Sequence, residues 1–404
     1  MAIPKTTSPD ASTFEVNHAA LSDLGMRRAN NQDAMAVAEA DEQQFQVRGH
    51  FYMVADGMGA HAAGELASKL AVDNVPHTYH KLRSLTPPAA LRQAVHKANK
   101  LIFDKGQSAA EFNGMGTTCS CLVLLPNAAL IAHVGDSRVY RLRCNDLEQL
   151  TFDHSLVWEM AAASDTADEN VPACIPKNVI TRSLGPHPMV NVDLEGPYDV
   201  CPGDKFLLCS DGLTGVVDND LMATLLACLE PDEAAATLVD IANLRGGPDN
   251  ITVIVAKVSG DNTAVCADNG KPPCCGGDND RGWLGKLFGW MFGAAAGPQA
   301  YHELGGPYGN GPYRHYESHP TTTAVEMAGL CRELGELEHV EHSPLAGCDG
   351  INWSAFHEQC SQGQQASDAK EPTRAIQLYA KAIRTLMEEV RRHDATAASE
   401  DSVV

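Results

Sequence analysis

Two rhythms of apolar residues divide the chain. Short apolar or alternating runs at residues 51–55, 116–125, 130–134, 138–142, 205–209 and 251–258 have the length and bounding turns of β-strands. Across residues 87–103, Leu91, Val95, Ala98 and Ile102 recur at helical spacing instead, which predicts a helix with one face on a sheet. Residues 219–229 and 232–244 make a second helical block. Only Pro126, Asn127 and two alanines separate 116–125 from 130–134, and 131–142 reads as a hairpin about Gly135-Asp136-Ser137. Consecutive strands with tight turns imply antiparallel sheet, and the separate helical blocks imply α+β layers. This organisation covers residues 17–259, after a lead-in over 1–16 that reads as disordered.

Past residue 260 the pattern changes. Residues 260–320 are rich in Gly, Pro, Asp and Asn and read as a linker. Within it, 282–297 carries Trp283, Leu287, Trp290 and Met291 on one helical face, interrupted by Lys286. It is too short an apolar run for a transmembrane helix. Docking on protein, its own core or a partner, is the expectation, with membrane contact the second reading. Residues 321–395 read as helical: Met327, Leu330, Leu334 and Leu337 form one stripe, and Ile376, Tyr379, Ile383, Leu386 and Val390 another. Asp368, Glu371 and Pro372 suit a helix start. Residues 375–386 look like one helix of a tetratricopeptide repeat, without a second copy. A small helical module with an unknown protein partner is the reading.

Composition narrows the function classes. A chain of 404 residues with 44% hydrophobic content is long enough for a substantial core. A net charge of −22 argues against a nucleic-acid or anionic-membrane binder. The N-terminus lacks the basic start and apolar stretch of a signal peptide. Thirteen cysteines form no framework, and many lie in apolar runs, which fits a reducing cytoplasm. Cys266, Cys274 and Cys275 match no zinc spacing.

The run 51–55 ends on Asp56-Gly57, where a carboxylate sits at a strand end and a glycine opens the backbone to a cation or phosphate. One Asp-Gly is ordinary turn chemistry. The pattern recurs, however, at Asp136, Asp211 and Asp249, and Asp33 precedes a further strand-like run. Five acidic groups gathered at sheet rims would repel one another without a counter-ion. Oxygen ligands with no interleaved cysteine or histidine pair favour Mg²⁺ or Mn²⁺ over zinc. Two such ions, roughly 3.5–4 Å apart, can share a carboxylate and polarise a bridging water into hydroxide.

The ordered set Gly25-Met26-Arg27-Arg28-Ala29-Asn30-Asn31-Gln32-Asp33, Asp56-Gly57-Met58-Gly59, Gly116-Thr117-Thr118, Gly135-Asp136-Ser137-Arg138, Ser210-Asp211-Gly212 and Asp249-Asn250 resembles the metal-dependent Ser/Thr protein phosphatases. These form the protein phosphatase 2C, or PPM, family, and the likeness is to its compact bacterial branch. The resemblance covers about residues 17–258. It implies an α-β-β-α sandwich, two packed antiparallel sheets flanked by helices, with the metals in a cleft at one edge. It implies hydrolysis of phosphoserine and phosphothreonine on proteins with two or three Mn²⁺ or Mg²⁺ ions, a metal-bridging hydroxide attacking phosphorus in line. A cognate Ser/Thr kinase is the implied counterpart.

By the same resemblance, Asp56 bridges the metals and Gly57 offers a carbonyl ligand. Asp33, Asp211 and Asp249 are further ligand positions, and Asp136 with Asp211 matches a third-metal site. Arg28 matches the arginine that grips the substrate phosphate, a task suited to its planar fork. Arg27 reads as a solvated charge. Gln32 stands where many members have Glu, and Ala60 replaces a common glycine. Met58 stands where eukaryotic members have an acid histidine, with His61 the nearby candidate donor to the leaving alkoxide. Residues 152–185 resemble the flap beside the cleft, whose polar middle shapes substrate choice.

The leading expectation is therefore an active cytoplasmic protein phosphatase. A phosphatase-like phosphoprotein-binding module with little catalysis is the alternative. A metal-dependent nuclease is disfavoured by the acidic charge and the lack of a basic groove.

Overall fold

The computed structural model describes residues 15–59, 63–126, 128–163, 176, 179–260, 311–339 and 351–401, the side chains of 339 and 393–401 excepted. Two antiparallel sheets stack face to face. One has the order β1 (Glu15–Asp23), β11 (Ile251–Ser259), β10 (Lys205–Cys209), β7 (Arg138–Arg143), β8 (Asp146–Gln149) and β12 (Arg314–Glu317). The other has β2 (Asp33–Ala38), β3 (His50–Met58), β5 (Cys119–Leu125), β6 (Ala128–Val134) and β9 (Asp193–Asp199), with β4 (Gly116–Thr117) beside the end of β3.

The two-residue period of the strands sorts their side chains between layers. Tyr52 and Val54 of β3 face the space between the sheets with Leu122, Ile131, Phe206, Leu208 and Ile254. Phe51, Met53 and Ala55 face outward, under α2 (Ala63–Lys81) and α3 (Pro87–Gly106). Leu91, Val95, Ala98 and Ile102, the stripe expected from spacing, are fully buried there. Strands β5 and β6 are buried on both faces, which is why their sequences run apolar without alternation.

On the far side, α6 (Asn219–Cys228) and α7 (Pro231–Leu244) cover β7, β10 and β11. These helices are covered in turn by α8 (Pro320–Glu336) and α10 (Pro372–Asp401), with α9 (Trp353–Asp368) packed on those two. Ala375, Ile376, Tyr379, Ile383 and Leu386 of α10 share one buried cluster with Leu225, Leu226, Leu238 and Ile241. Arg384 pairs with Glu233 at 2.8 Å, Arg391 with the fully buried Asp240 at 2.6 Å, and Gln377 donates to the Cys228 carbonyl at 3.0 Å. The helical tail thus docks on the sandwich.

Three expectations change. The hairpin about Gly135-Asp136-Ser137 is absent: β6 and β7 lie in different sheets, so this turn carries the chain across the sandwich. Gly135 has φ of 116°, and a Cβ there would sit 2.6 Å from the Thr118 side chain, so the crossing needs glycine. Residues 116–125 are two strands broken at Thr118, and β3 continues through Asp56-Gly57 to Met58. Strand β12 and the start of α8 fall inside the expected linker 260–320, whose segment 282–297 lies outside the described residues.

Among the described cysteines, seven are free thiols and Cys144, in the β7–β8 turn, is disulfide-bonded. No described helix is long and apolar enough to cross a membrane.

Because the tail and the outer helices share one core, truncating a side chain there should destabilise the whole protein. Ile383→Ala is expected to lower unfolding free energy by about 2–4 kcal/mol, measured by urea denaturation. A loss under about 1 kcal/mol would show that the cluster is loosely packed.

Candidate metal centre and active site

The site is built on one pairing. Asp33, the first residue of β2, lies directly opposite Asp56 of β3. Cα atoms so paired stand about 4.5–5.5 Å apart, and like charges facing each other across strands destabilise a sheet. The backbone of Asp56 is nevertheless locked in place. Its N–H donates to Thr118 Oγ1 at 2.8 Å, and its carbonyl accepts from the Thr118 N–H at 2.8 Å and the Thr117 hydroxyl at 2.9 Å. The pairing of β3 with β4 thus fixes the backbone that carries this carboxylate. Beside it, Gly57 has no room for a side chain: a Cβ would meet the Gly64 carbonyl at 2.2 Å and the Gln32 carbonyl at 2.5 Å.

The other acids arrive from both sheets. Asp136 sits in the crossing turn, and Asp211 opens the short helix α5 (Asp211–Thr214) after β10. Asp249 precedes β11. Burial first, and the charge of Asp33, Asp211, Asp136 and Asp249 after it, pushes the Asp56 carboxyl well above the usual carboxylate range. Burial, with Asp211 and Asp249, pushes Asp33 up to about 7 despite hydrogen bonds from Ser210 and Thr252. Asp136 is pushed up to about 8 by burial, Asp211 and Asp153. Asp211 is raised by burial and by Asp249. Asp56 is therefore the one that feels the charge of all four others.

This donor set fits a hard divalent cation. Asp136 Oδ1 and Asp211 Oδ1 are buried without a hydrogen-bond partner, a state that carries a penalty unless something cationic completes it. Among the described residues, the tight three-ligand group is elsewhere: Asp146, Glu148 and His315, with ligand atoms within 4.8 Å of one another. There Glu148 is already paired with Arg141, and Asp146 Oδ2 meets His315 Nδ1 at 2.9 Å while its Oδ1 is buried without a partner. The five aspartates form no group that tight among the described residues.

Arg28 reaches Asp249, with Nη2 donating to Asp249 Oδ2 at 2.7 Å while its side chain stays half exposed. Arg27 is exposed. His61 and Ala60 lie outside the described residues.

Two supporting residues carried no role in the sequence reading. Ser210 Oγ donates to Asp33 Oδ2 at 2.7 Å and accepts from the Thr252 N–H at 3.0 Å. Asn250 clips the 24–32 loop, donating to the Leu24 and Asn30 carbonyls at 2.8 and 3.1 Å and accepting from the Gln32 N–H at 2.9 Å. Their only sequence signal was adjacency to Asp211 and Asp249. Below the site, Gly135 N–H donates to His154 Nδ1 at 2.9 Å, which fixes the proton on Nε2, donating to Asp193 at 2.8 Å.

Comparison with known proteins identifies the family. The model of the family Protein phosphatase 2C matches residues 26–242, more than half of the chain. A putative protein phosphatase 2C-type of Streptococcus pyogenes is 36% identical over 236 residues, 57% of this chain and 93% of its own. The serine/threonine phosphatase stp of Listeria monocytogenes is 36% identical over 241 residues, 58% of this chain and 93% of its own. Among solved structures, the Mycobacterium tuberculosis serine/threonine phosphatase PstP/Ppp matches with a TM-score of 0.53 at 34% identity, covering 60% of this chain and 99% of that one. A PstP catalytic domain in complex with two manganese ions matches with a TM-score of 0.51 at 33% identity, over 61% of this chain and 100% of that one. The chain belongs to the protein phosphatase 2C family and is a metal-dependent protein-serine/threonine phosphatase of the bacterial type.

Proposed function

We propose that Asp33, Asp56, the Gly57 carbonyl, Asp211 and Asp249 hold two Mn²⁺ or Mg²⁺ ions, with Asp136 and Asp211 suited to a third. The observation that carries this reading is the buried, mutually raised set of carboxylates around Asp56. When bound, the ions supply Lewis acidity at the phosphoryl oxygens and the acidified water for in-line attack on phosphorus. The residues of the chain do the rest. Thr117 and Thr118 keep Asp56 from yielding to its neighbours' charge. Arg28 leaves Asp249 to meet two oxygens of the substrate phosphate with its planar fork. His61, close after Asp56 in sequence, donates a proton to the departing seryl or threonyl oxygen.

The substrates on this reading are phosphorylated Ser/Thr proteins in the cytoplasm, modified by a cognate kinase. The seven free thiols among the described cysteines support that compartment, whereas the disulfide at Cys144 does not.

Asp56→Asn removes a buried negative charge without changing shape. Phosphate release from a phosphothreonine peptide with Mn²⁺ should fall to background, while the metal-free melting temperature stays equal or rises because repulsion is relieved. The rise in melting temperature that Mn²⁺ gives the parent chain should vanish. Undiminished turnover would reject the bridging role.

Ser210→Ala tests the support beneath Asp33. It should weaken Mn²⁺ affinity by roughly 10- to 100-fold, with turnover at saturating metal close to that of the parent. An unchanged metal titration would show that Ser210 does not orient a ligand.

A further inference from the structure

Strand β12 lies beyond the family-matched span of residues 26–242, yet it reaches the active-site end of the sandwich. It pairs with β8 from Arg314 opposite Gln149 to Glu317 opposite Asp146, and the Tyr313 N–H donates to the Gln149 carbonyl at 2.8 Å. From this edge it holds the start of the segment 152–185. The Arg314 guanidinium lies 3.8 Å from the ring centroid of Trp158, in α4 (Leu156–Ala163). Trp158 is only 6% exposed and also packs on Phe152, whose ring meets Tyr313 edge-on at 5.6 Å. The Tyr313 hydroxyl donates to Glu195 at 2.6 Å.

Helix α4 is stitched to the strands that carry the site. Ahead of it, the His154 N–H donates to the carbonyl of Gly135, the neighbour of Asp136, at 2.7 Å. Arg138 clamps Asp153 at 2.9 and 3.0 Å and lies 5.6 Å from the Trp158 ring. Behind it, Ser155 bridges to Ile180, and Leu184 pairs with Thr117, whose hydroxyl holds Asp56. The inner side of α4 thus rests on the phosphatase framework and its outer side on Arg314.

We propose that Arg314 is a positioning residue: stacked on Trp158, it fixes α4 at the rim of the aspartate site and so sets how tightly phosphopeptides bind. The proposal rests on the active site lying at that cluster. A cation seated on a nearly buried indole is held more strongly than one at an exposed ring, and the interaction holds a whole helix rather than one side chain. Small phosphate esters, which need only the ions and Arg28, are indifferent to it. The C-terminal part of the chain is in this way a specificity element of its own enzyme.

The test is steady-state kinetics on the full chain with saturating Mn²⁺, comparing p-nitrophenyl phosphate with a phosphothreonine peptide. Arg314→Ala is expected to raise KM for the peptide about fivefold to tenfold, with kcat/KM for the small ester within about twofold of the parent. Arg314→Lys keeps the charge but not the planar stack and should fall between. Trp158→Phe, approaching the same contact from the other side, should raise peptide KM, and the double variant should add little to either single change. An unchanged peptide KM, an equal loss on both substrates, or additive effects would overturn the proposal. A parent chain inert on both substrates would instead strike at the active-site reading and remove the proposal with it.

Discussion

Like charges forced together at the end of a β-sandwich are the constraint on which the structure depends. Asp33 and Asp56 face each other across paired strands, and Asp136, Asp211 and Asp249 converge from the crossing turn, α5 and the start of β11. Such a group separates or takes up protons unless the framework is stiff and a cation is near. The stiffness is visible: two threonines on the Asp56 backbone, a serine under Asp33, an asparagine clipping the loop that presents Arg28. The sheet supplies the rigidity, and on the proposed reading the repulsion it contains becomes affinity for divalent ions.

The helical tail extends this economy of support. Helices α8 and α10 complete a core that α6 and α7 leave open, and β12 adds an edge strand beside α4. Arg245, at the end of α7 and just before the turn leading to Asp249, is held by Asp218 and by Glu326 of α8. The tail therefore touches the catalytic framework at two places, the base of the Asp249 turn and the flank of α4. It is part of the enzyme's architecture more than an appendage.

What the sequence disclosed follows from which physics is local. The strand-end aspartates were legible because each follows or precedes a distinctive apolar run, and the α3 stripe was legible from its period. The crossing at Gly135 was not, since residues 131–142 alternate in the same way whether their halves pair together or join different sheets. The deciding facts are a backbone angle and a contact with Thr118. Strand β12, Arg-His-Tyr-Glu, has no apolar run and joins the sheet through its backbone. The tail stripes announced a buried face but not its counterpart. Residues 221–226 of α6, buried on all sides, were the available clue, because a helix apolar all round is covered from two directions. Ser210 and Asn250 act through single hydrogen bonds, which leave no periodic trace.

The account stands or falls on where divalent ions settle. Anomalous diffraction at the manganese edge, from crystals of the full chain grown with Mn²⁺, places them directly. Two peaks roughly 3.5–4 Å apart, both within bonding distance of the Asp56 carboxylate, are the predicted result. Peaks confined to the Asp146, Glu148 and His315 group, or no peak near Asp56, would contradict it.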